Sequence, residues 1–179
     1  MPRHPMPRNP KARHPMPRLA ALALAAGLCL APPAAGAAAW EAPLAPRAGW
    51  SVAPAPHDFE TLLARLRDAV KAQGLAVVTE AGPTAAARAR GIAIPGNRVV
   101  GVFNNVFAVR VLETSVAAMI EAPIRFYVTE NPDGTATLAY KLPSAVFAPY
   151  ANEGGAALAQ AAADLDTAFA AIAARAVAP

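Results

Sequence analysis

The stretch 98–142, RVVGVFNNVFAVRVLETSVAAMIEAPIRFYVTENPDGTATLAYKL, decides the fold, because it holds a strand, a helical connection and a β-hairpin in one uninterrupted block. Its sharpest signal is the turn Asn131-Pro132-Asp133-Gly134. Asn131 can accept a local side-chain bond, Pro132 pre-sets φ near about −65°, and Gly134 takes the positive φ of a glycine bulge. With Asn131 opposite Thr135, one face of the hairpin pairs Glu130 with Ala136, Val128 with Leu138, Phe126 with Tyr140 and Ile124 with Leu142. The other face pairs Thr129 with Thr137, Tyr127 with Ala139 and Arg125 with Lys141. A slip of one residue would oppose Val128 to Thr137 and mix the faces along the whole ladder. The register is therefore set by a sum of pairs worth roughly 0.2–1 kcal/mol each. Arg125 against Lys141 is a like-charge opposition, read here as two side chains that face water.

Toward the N-terminus, 99–103 reads as a strand. Asn104-Asn105 then hands over to a helix, or two short ones, beginning near Phe107 and running toward Glu121 before Pro123 ends it. Further back, Asp58 caps and Gly74 stops a helix whose stripe is Phe59, Leu62, Leu63, Leu66 and Val70. Residues 75–80 read as a strand, Gly82-Pro83 breaks it, Thr84 caps a short helix over 85–90, and Pro95-Gly96 makes 92–97 a loop. Residues 40–56, rich in Pro and Ala, read as a linker in which 49–53 alone could form a short first strand.

Beyond Leu142, Pro143 and Pro149 enclose a short irregular or helical piece. Gly154-Gly155 separates it from an Ala-rich helix over about 156–176 with Leu158, Leu165, Phe169 and Ile172 as its stripe. Asp164 and Asp166 near the middle of that helix argue against a membrane span. This order predicts a single α+β domain over 57–179, a two-layer sandwich with an antiparallel-rich sheet and helices mainly on one face.

Residues 1–18 carry Arg3, Arg8, Lys11, Arg13 and Arg18 and no acid, and 19–30 is an apolar run too short for the roughly twenty residues that span a bilayer. Ala37-Ala38-Ala39 supplies small residues before Trp40. These features predict a signal peptide over 1–39, cleavage near Ala39, and a periplasmic or secreted chain. A lipid anchor at Cys29, which follows Leu28 rather than a small residue, is a minor alternative. Arg3–Arg8 recurs as Arg13–Arg18, which points to a start at Met6 or Met16 rather than Met1.

Removing the leader takes five of sixteen basic residues and none of twelve acidic ones; eleven against twelve leaves a net charge of −1. The basic excess thus belongs to the leader, and nucleic acid is not an expected partner. With Cys29 removed no thiol remains, which excludes a disulfide framework and a thiol nucleophile.

His57 is the one histidine after residue 39, so no Ser-His-Asp, Cys-His or multi-histidine metal set can be assembled. No catalytic residue, metal or cofactor is expected. Asn104 and Asn105 place amides and N–H donors at a strand end beside a helix N-terminus, which favours an anion by about 0.3–1 kcal/mol. The simpler reading is that one of them caps that helix. Arg98, Arg110 and Glu80 are charges near this block and complete the ligand-binding candidates, with surface ion pairs as their default role.

The runs Val100-Gly101-Val102-Phe103-Asn104-Asn105, Arg110-Val111-Leu112 and Ala122-Pro123-Ile124-Arg125-Phe126-Tyr127-Val128, with the hairpin, resemble the domain of unknown function 302 family over about 50–146. The resemblance implies a small α+β domain with a TATA-binding-protein-like layout, often self-associating, with no established activity. The family motif tends to carry a Cys, a Pro and a nearby His where this chain has Phe103, Asn105 and Val109, so Asn104 alone keeps the polar signature.

The resulting expectation is an exported, non-catalytic domain that holds a small molecule or a protein near Asn104 and the hairpin, and that self-associates as a homodimer. The competing expectation is a small periplasmic enzyme in which Asn104 and an Arg polarise a carbonyl or phosphoryl oxygen and a Glu acts as base. The enzyme needs a closed pocket at Asn104 and a strongly shifted ionisable group.

Overall fold

The computed structural model describes residues 38–179, and the leader features through residue 37, Cys29 included, lie outside the described residues. Five strands, β1 (Trp50–Ala55), β2 (Ala76–Ala81), β3 (Asn97–Phe103), β4 (Ile124–Glu130) and β5 (Ala136–Lys141), form one antiparallel sheet in the order β1-β5-β4-β3-β2. Between and after them run α1 (Phe59–Ala72), α2 (Thr84–Ala89), α3 (Asn105–Thr114), α4 (Pro143–Phe147) and α5 (Ala151–Val177).

The hairpin closes in the register its turn requires. The Asn131 N–H donates to the Thr135 carbonyl at 2.8 Å, the Gly134 N–H donates to the Asn131 carbonyl at 3.0 Å, and Gly134 adopts φ 82°. The Asn131 side chain accepts from the Thr137 hydroxyl and donates to that of Thr135. Phe126 then faces Tyr140, Val128 faces Leu138 and Tyr127 faces Ala139.

Because alternate residues leave a strand on opposite sides, this register sorts the sheet into an oily face and a mixed one. On the oily face Val100, Val102, Phe126, Val128, Leu138 and Tyr140 are buried beneath the Leu62, Leu63, Leu66 and Val70 stripe of α1 and the Leu158, Leu165, Phe169 and Ile172 stripe of α5. Phe126 stacks on Phe169 with ring centroids 4.5 Å apart, and Tyr140 meets both rings at 5.2 and 5.4 Å. Residues 143–177 are long and apolar enough by composition to cross a membrane, yet the α5 stripe is spent in this core.

The helix termini show why the segments stop where they do. Asp58 caps α1 by accepting from the Thr61 N–H at 2.8 Å and the Thr61 hydroxyl at 3.0 Å. At the far end of α5, whose last carbonyls have no partner within the helix, Arg65 donates to the carbonyls of Arg175, Ala176 and Ala178, and His57 contacts the Ala178 carbonyl at 2.7 Å. A guanidinium there also complements the negative end of the helix dipole. The two termini of the helical layer are thereby locked together.

Several boundaries differ from expectation for local reasons. The segment read as a linker supplies the edge strand β1 over Trp50–Ala55, paired along its whole length with β5. Pro54 and Pro56 suit an edge, where a missing N–H costs no ladder bond. Strand β3 begins at Asn97, inside the expected loop, and β2 carries a bulge at Val78. The stretch toward Glu121 takes the second of its two expected forms, α3 and a 3-10 turn at Ala117–Glu121, and starts at Asn105 rather than Phe107. As expected, Gly155, with non-helical φ 52° and ψ −146°, breaks the range Ala151–Val177 and separates a short helical piece from the Ala-rich helix.

Candidate functional site

The five sequence candidates are not gathered into one site. Asn104 caps α3: its amide oxygen accepts from the N–H groups of Val106 at 2.9 Å and Phe107 at 3.2 Å, while its amide nitrogen donates to the Gly74 carbonyl at 2.8 Å. The side chain thus pins the β3–α3 junction to the end of α1. The cavity it borders is only about 40 Å³ and otherwise lined by groups such as Leu75, Phe107, Met119 and Phe147. Asn105, the first residue of α3, is exposed.

Arg110 pairs with Asp164 at 2.7 Å, and this bond holds the Asp164 carboxyl below its ordinary range, helped by Gln160. Glu80 accepts both nitrogens of the Arg67 fork at 2.7 Å. That hydrogen-bonded contact lowers the Glu80 pKa, so the pair's stabilisation is present above the ordinary carboxylate range and fades as pH falls through the lowered value. Arg98 lies at the opposite end of β3 from Asn104, half-buried and opposite Val128. Asn104 thus serves as a cap and Arg110 and Glu80 as members of surface ion pairs, while Asn105 is exposed and the Arg98 Nε is buried without a hydrogen-bond partner among the described residues.

The mixed face of the sheet presents a different constellation. Cross-strand register sets Trp50 opposite Lys141 and Arg125 opposite Gly101, and continuing the β4–β5 ladder one step beyond Phe126 and Tyr140 brings Arg125 opposite Lys141. Trp50, Lys141, Arg125 and Gly101 therefore form one row across four strands. At the end of that row the space beside Gly101 is filled by the Thr79 side chain and the Pro123 ring, and both cations are exposed. Tyr127 follows two residues along β4, and its hydroxyl takes a hydrogen bond from the Asn97 amide.

These groups line a groove of about 510 Å³ that also includes Val99 and Glu121. Its size falls within the range of about 300–1,000 Å³ usual for small-molecule sites. The Arg47 guanidinium lies 5.2 Å from the centre of the Trp50 ring and the Lys141 ammonium 5.8 Å, within cation–π range.

The electrostatics of this face are unbalanced. Among the described residues the ion pairs are Arg67–Glu80 and Arg110–Asp164, and neither uses Arg47, Arg125 or Lys141. The two nearby acids are engaged elsewhere. Glu121 accepts from the Tyr150 hydroxyl at 2.8 Å, which raises the Tyr150 pKa, and Glu130 accepts from the Gly96 N–H at 2.6 Å. Like charges directly opposed across a ladder destabilise it. The hairpin register already disclosed this pair; the aromatic partner Trp50, which reaches it from the other end of the chain, carried no local signal.

A second surface feature lies on the helical side. Val106, Val109 and Leu112 of α3, continued by Val116 and Ile120, are exposed, Val116 and Ile120 at 77% and 79%. Helical spacing places the first three along one stripe of α3.

One five-stranded antiparallel sheet with a helical layer packed on one face defines a small α+β domain. The family model of the domain of unknown function DUF302 matches residues 52–172, and the chain belongs to that family. A crystal structure of an uncharacterized conserved protein DUF302 from Bacillus stearothermophilus superposes with a TM-score of 0.64 at 20% identity, covering 72% of this chain and 98% of that one; it shows the shared fold. No curated protein matches the chain.

Proposed function

We propose that this chain is an exported, non-catalytic binding domain that holds a small anion on the open face of its sheet. The observation that carries this reading is the opposition of Arg125 and Lys141 without a carboxylate partner, in a groove floored by Tyr127 and bounded by Trp50. An anion bridging the two cations turns a repulsive pair into two charge-assisted hydrogen bonds, each roughly twice as strong as a neutral one. The groove is already formed, so little ordering opposes binding. Export rests on the leader composition of residues 1–39 and agrees with a chain that carries no cysteine after residue 39.

Native mass spectrometry of protein isolated from the exported fraction tests the reading. The wild-type chain is expected to retain an anionic adduct, and the Arg125→Gln/Lys141→Gln variant to have lost it while remaining folded. An adduct equally retained by the variant would move the site elsewhere, and a wild-type chain without one that also fails to bind added phosphate would end the reading.

Self-association is part of the proposal, with a second copy of the chain as occupant of the Val106–Ile120 stripe. The open face is assigned to the anion, which leaves the stripe for the second copy. The stripe carries no charge among its five apolar side chains, and such patches mark contact surfaces. Light scattering is expected to show a dimer for the wild-type chain and a monomer for Val116→Asp/Ile120→Asp; a monomeric wild-type chain at high concentration contradicts it.

A further inference from the structure

The open face carries a second groove, of about 550 Å³, and its lining says more about the ligand. One wall is the segment 42–47, which crosses the sheet before β1 and contributes Pro43, Leu44 and Arg47; the other includes Ile94, Tyr127 and Thr129. Asn97 and Tyr127 line both grooves, so the two grooves adjoin at their mutual hydrogen bond. The segment is anchored where the grooves meet. The Trp50 N–H donates to the Arg47 carbonyl at 3.2 Å, and the Arg47 guanidinium lies over the Trp50 ring.

Resting on the reading of the open face as an anion site, we infer that the ligand is bipartite: a carboxylate-type head between Arg125 and Lys141, and an apolar chain that passes Tyr127 and lies beneath residues 42–47. The head is placed by the two free cations. The body is placed by the apolar wall of Pro43, Leu44 and Ile94, where Arg47, held at the junction, is the one cation among the described lining residues. From Arg125 to Thr129 along β4 is four residues, about 13 Å, so a short anion fills only the first half.

The test is a titration of the intact chain with straight-chain carboxylates from acetate to decanoate, read by amide chemical shifts. Once the chain is long enough to pass Tyr127, affinity is expected to rise about fourfold per added methylene, from about 0.8 kcal/mol per buried CH2. Shifts should begin at Arg125 and Lys141 with acetate and extend to Asn97 and Thr129 with the longer acids. Leu44→Asp, on an exposed segment outside the sheet, is expected to abolish the length dependence while leaving the acetate response in place.

Binding that is independent of length, with shifts confined to Arg125 and Lys141, overturns the bipartite ligand and leaves the anion site standing. A length dependence that survives Leu44→Asp with shifts mapping to α3 places the chain elsewhere and also overturns it. No response to any acid overturns both readings together.

Discussion

Phe126→Ala is expected to lower the unfolding free energy by about 3–5 kcal/mol, a drop in melting temperature of about 10 °C for a domain of this size. Phe126 is fully buried at the centre of the oily face, stacked on Phe169 and edge-on to Tyr140. Truncation removes the transfer free energy of the ring and leaves a cavity that strands β3, β4 and β5 cannot close, since their spacing is fixed by ladder bonds on both sides of Phe126. It also removes two aromatic contacts, each worth about 0.5–1.5 kcal/mol beyond the area they bury. Phe126→Leu retains most of the volume and is expected to cost less than half as much. Urea unfolding of the three proteins checks the pair of values; a loss below about 1 kcal/mol for the alanine variant would mean that the two layers do not meet at this ring.

Gly82→Ala is the second large effect, and it reaches the site. A Cβ at residue 82 would stand 2.1 Å from the Asn97 carbonyl oxygen and 3.1 Å from its carbon. Both are main-chain atoms, so no rotamer change relieves the contact, and the end of β2 must part from the start of β3. The expected cost is about 1–3 kcal/mol, as for other overpacked positions. Asn97 is also the residue whose amide holds the Tyr127 hydroxyl between the two grooves. The variant is therefore expected to weaken anion binding at least severalfold although residue 82 lines neither groove as a ligand contact. Parallel measurement of stability and of phosphate affinity decides it; unchanged values in both would show that β2 yields freely at this edge.

The fold was legible where local chemistry dictates it. Pro132 and Gly134 admit one turn, that turn admits one register, and the register sorts Phe126, Val128, Leu138 and Tyr140 from Arg125, Tyr127 and Lys141 before any coordinates are known. The same holds for the stripes of α1 and α5, which are periodic over three turns or more. The edge strand β1 was harder, because Trp50–Ala55 contains a proline and finds its partner β5 about ninety residues later. No local pattern encodes that pairing. The bulge at Val78 and the early start of β3 at Asn97 depend likewise on what the neighbouring strand offers.

The site was legible in a different sense. Asn104 stood out because an amide before a helix can hold an anion, but the same geometry lets it cap α3, and capping needs no second molecule. Glu80 and Arg110 found ordinary partners in Arg67 and Asp164, which sequence could not name since those residues lie on other helices. The sequence register opposes Arg125 to Lys141 and turns both to water. Facing solvent is correct, yet exposure alone leaves their repulsion uncompensated, and that becomes visible only once Glu121 and Glu130 are seen bonded elsewhere. The lesson is that a local rule broken on an open face marks a functional candidate more reliably than a rule obeyed at a helix end.

The most direct measurement is a double-mutant cycle on Arg125 and Lys141, with unfolding free energies determined in buffer without multivalent anions and again with phosphate at matched ionic strength. Without phosphate, replacing either residue by Gln is expected to leave stability unchanged or raise it by up to about 1 kcal/mol, with an unfavourable coupling between the two. With phosphate the wild-type chain is expected to gain stability that both single variants and the double variant lack, turning the coupling favourable. A cycle in which each substitution destabilises the anion-free protein, and phosphate stabilises all four chains alike, would contradict the claim that this pair binds an anion.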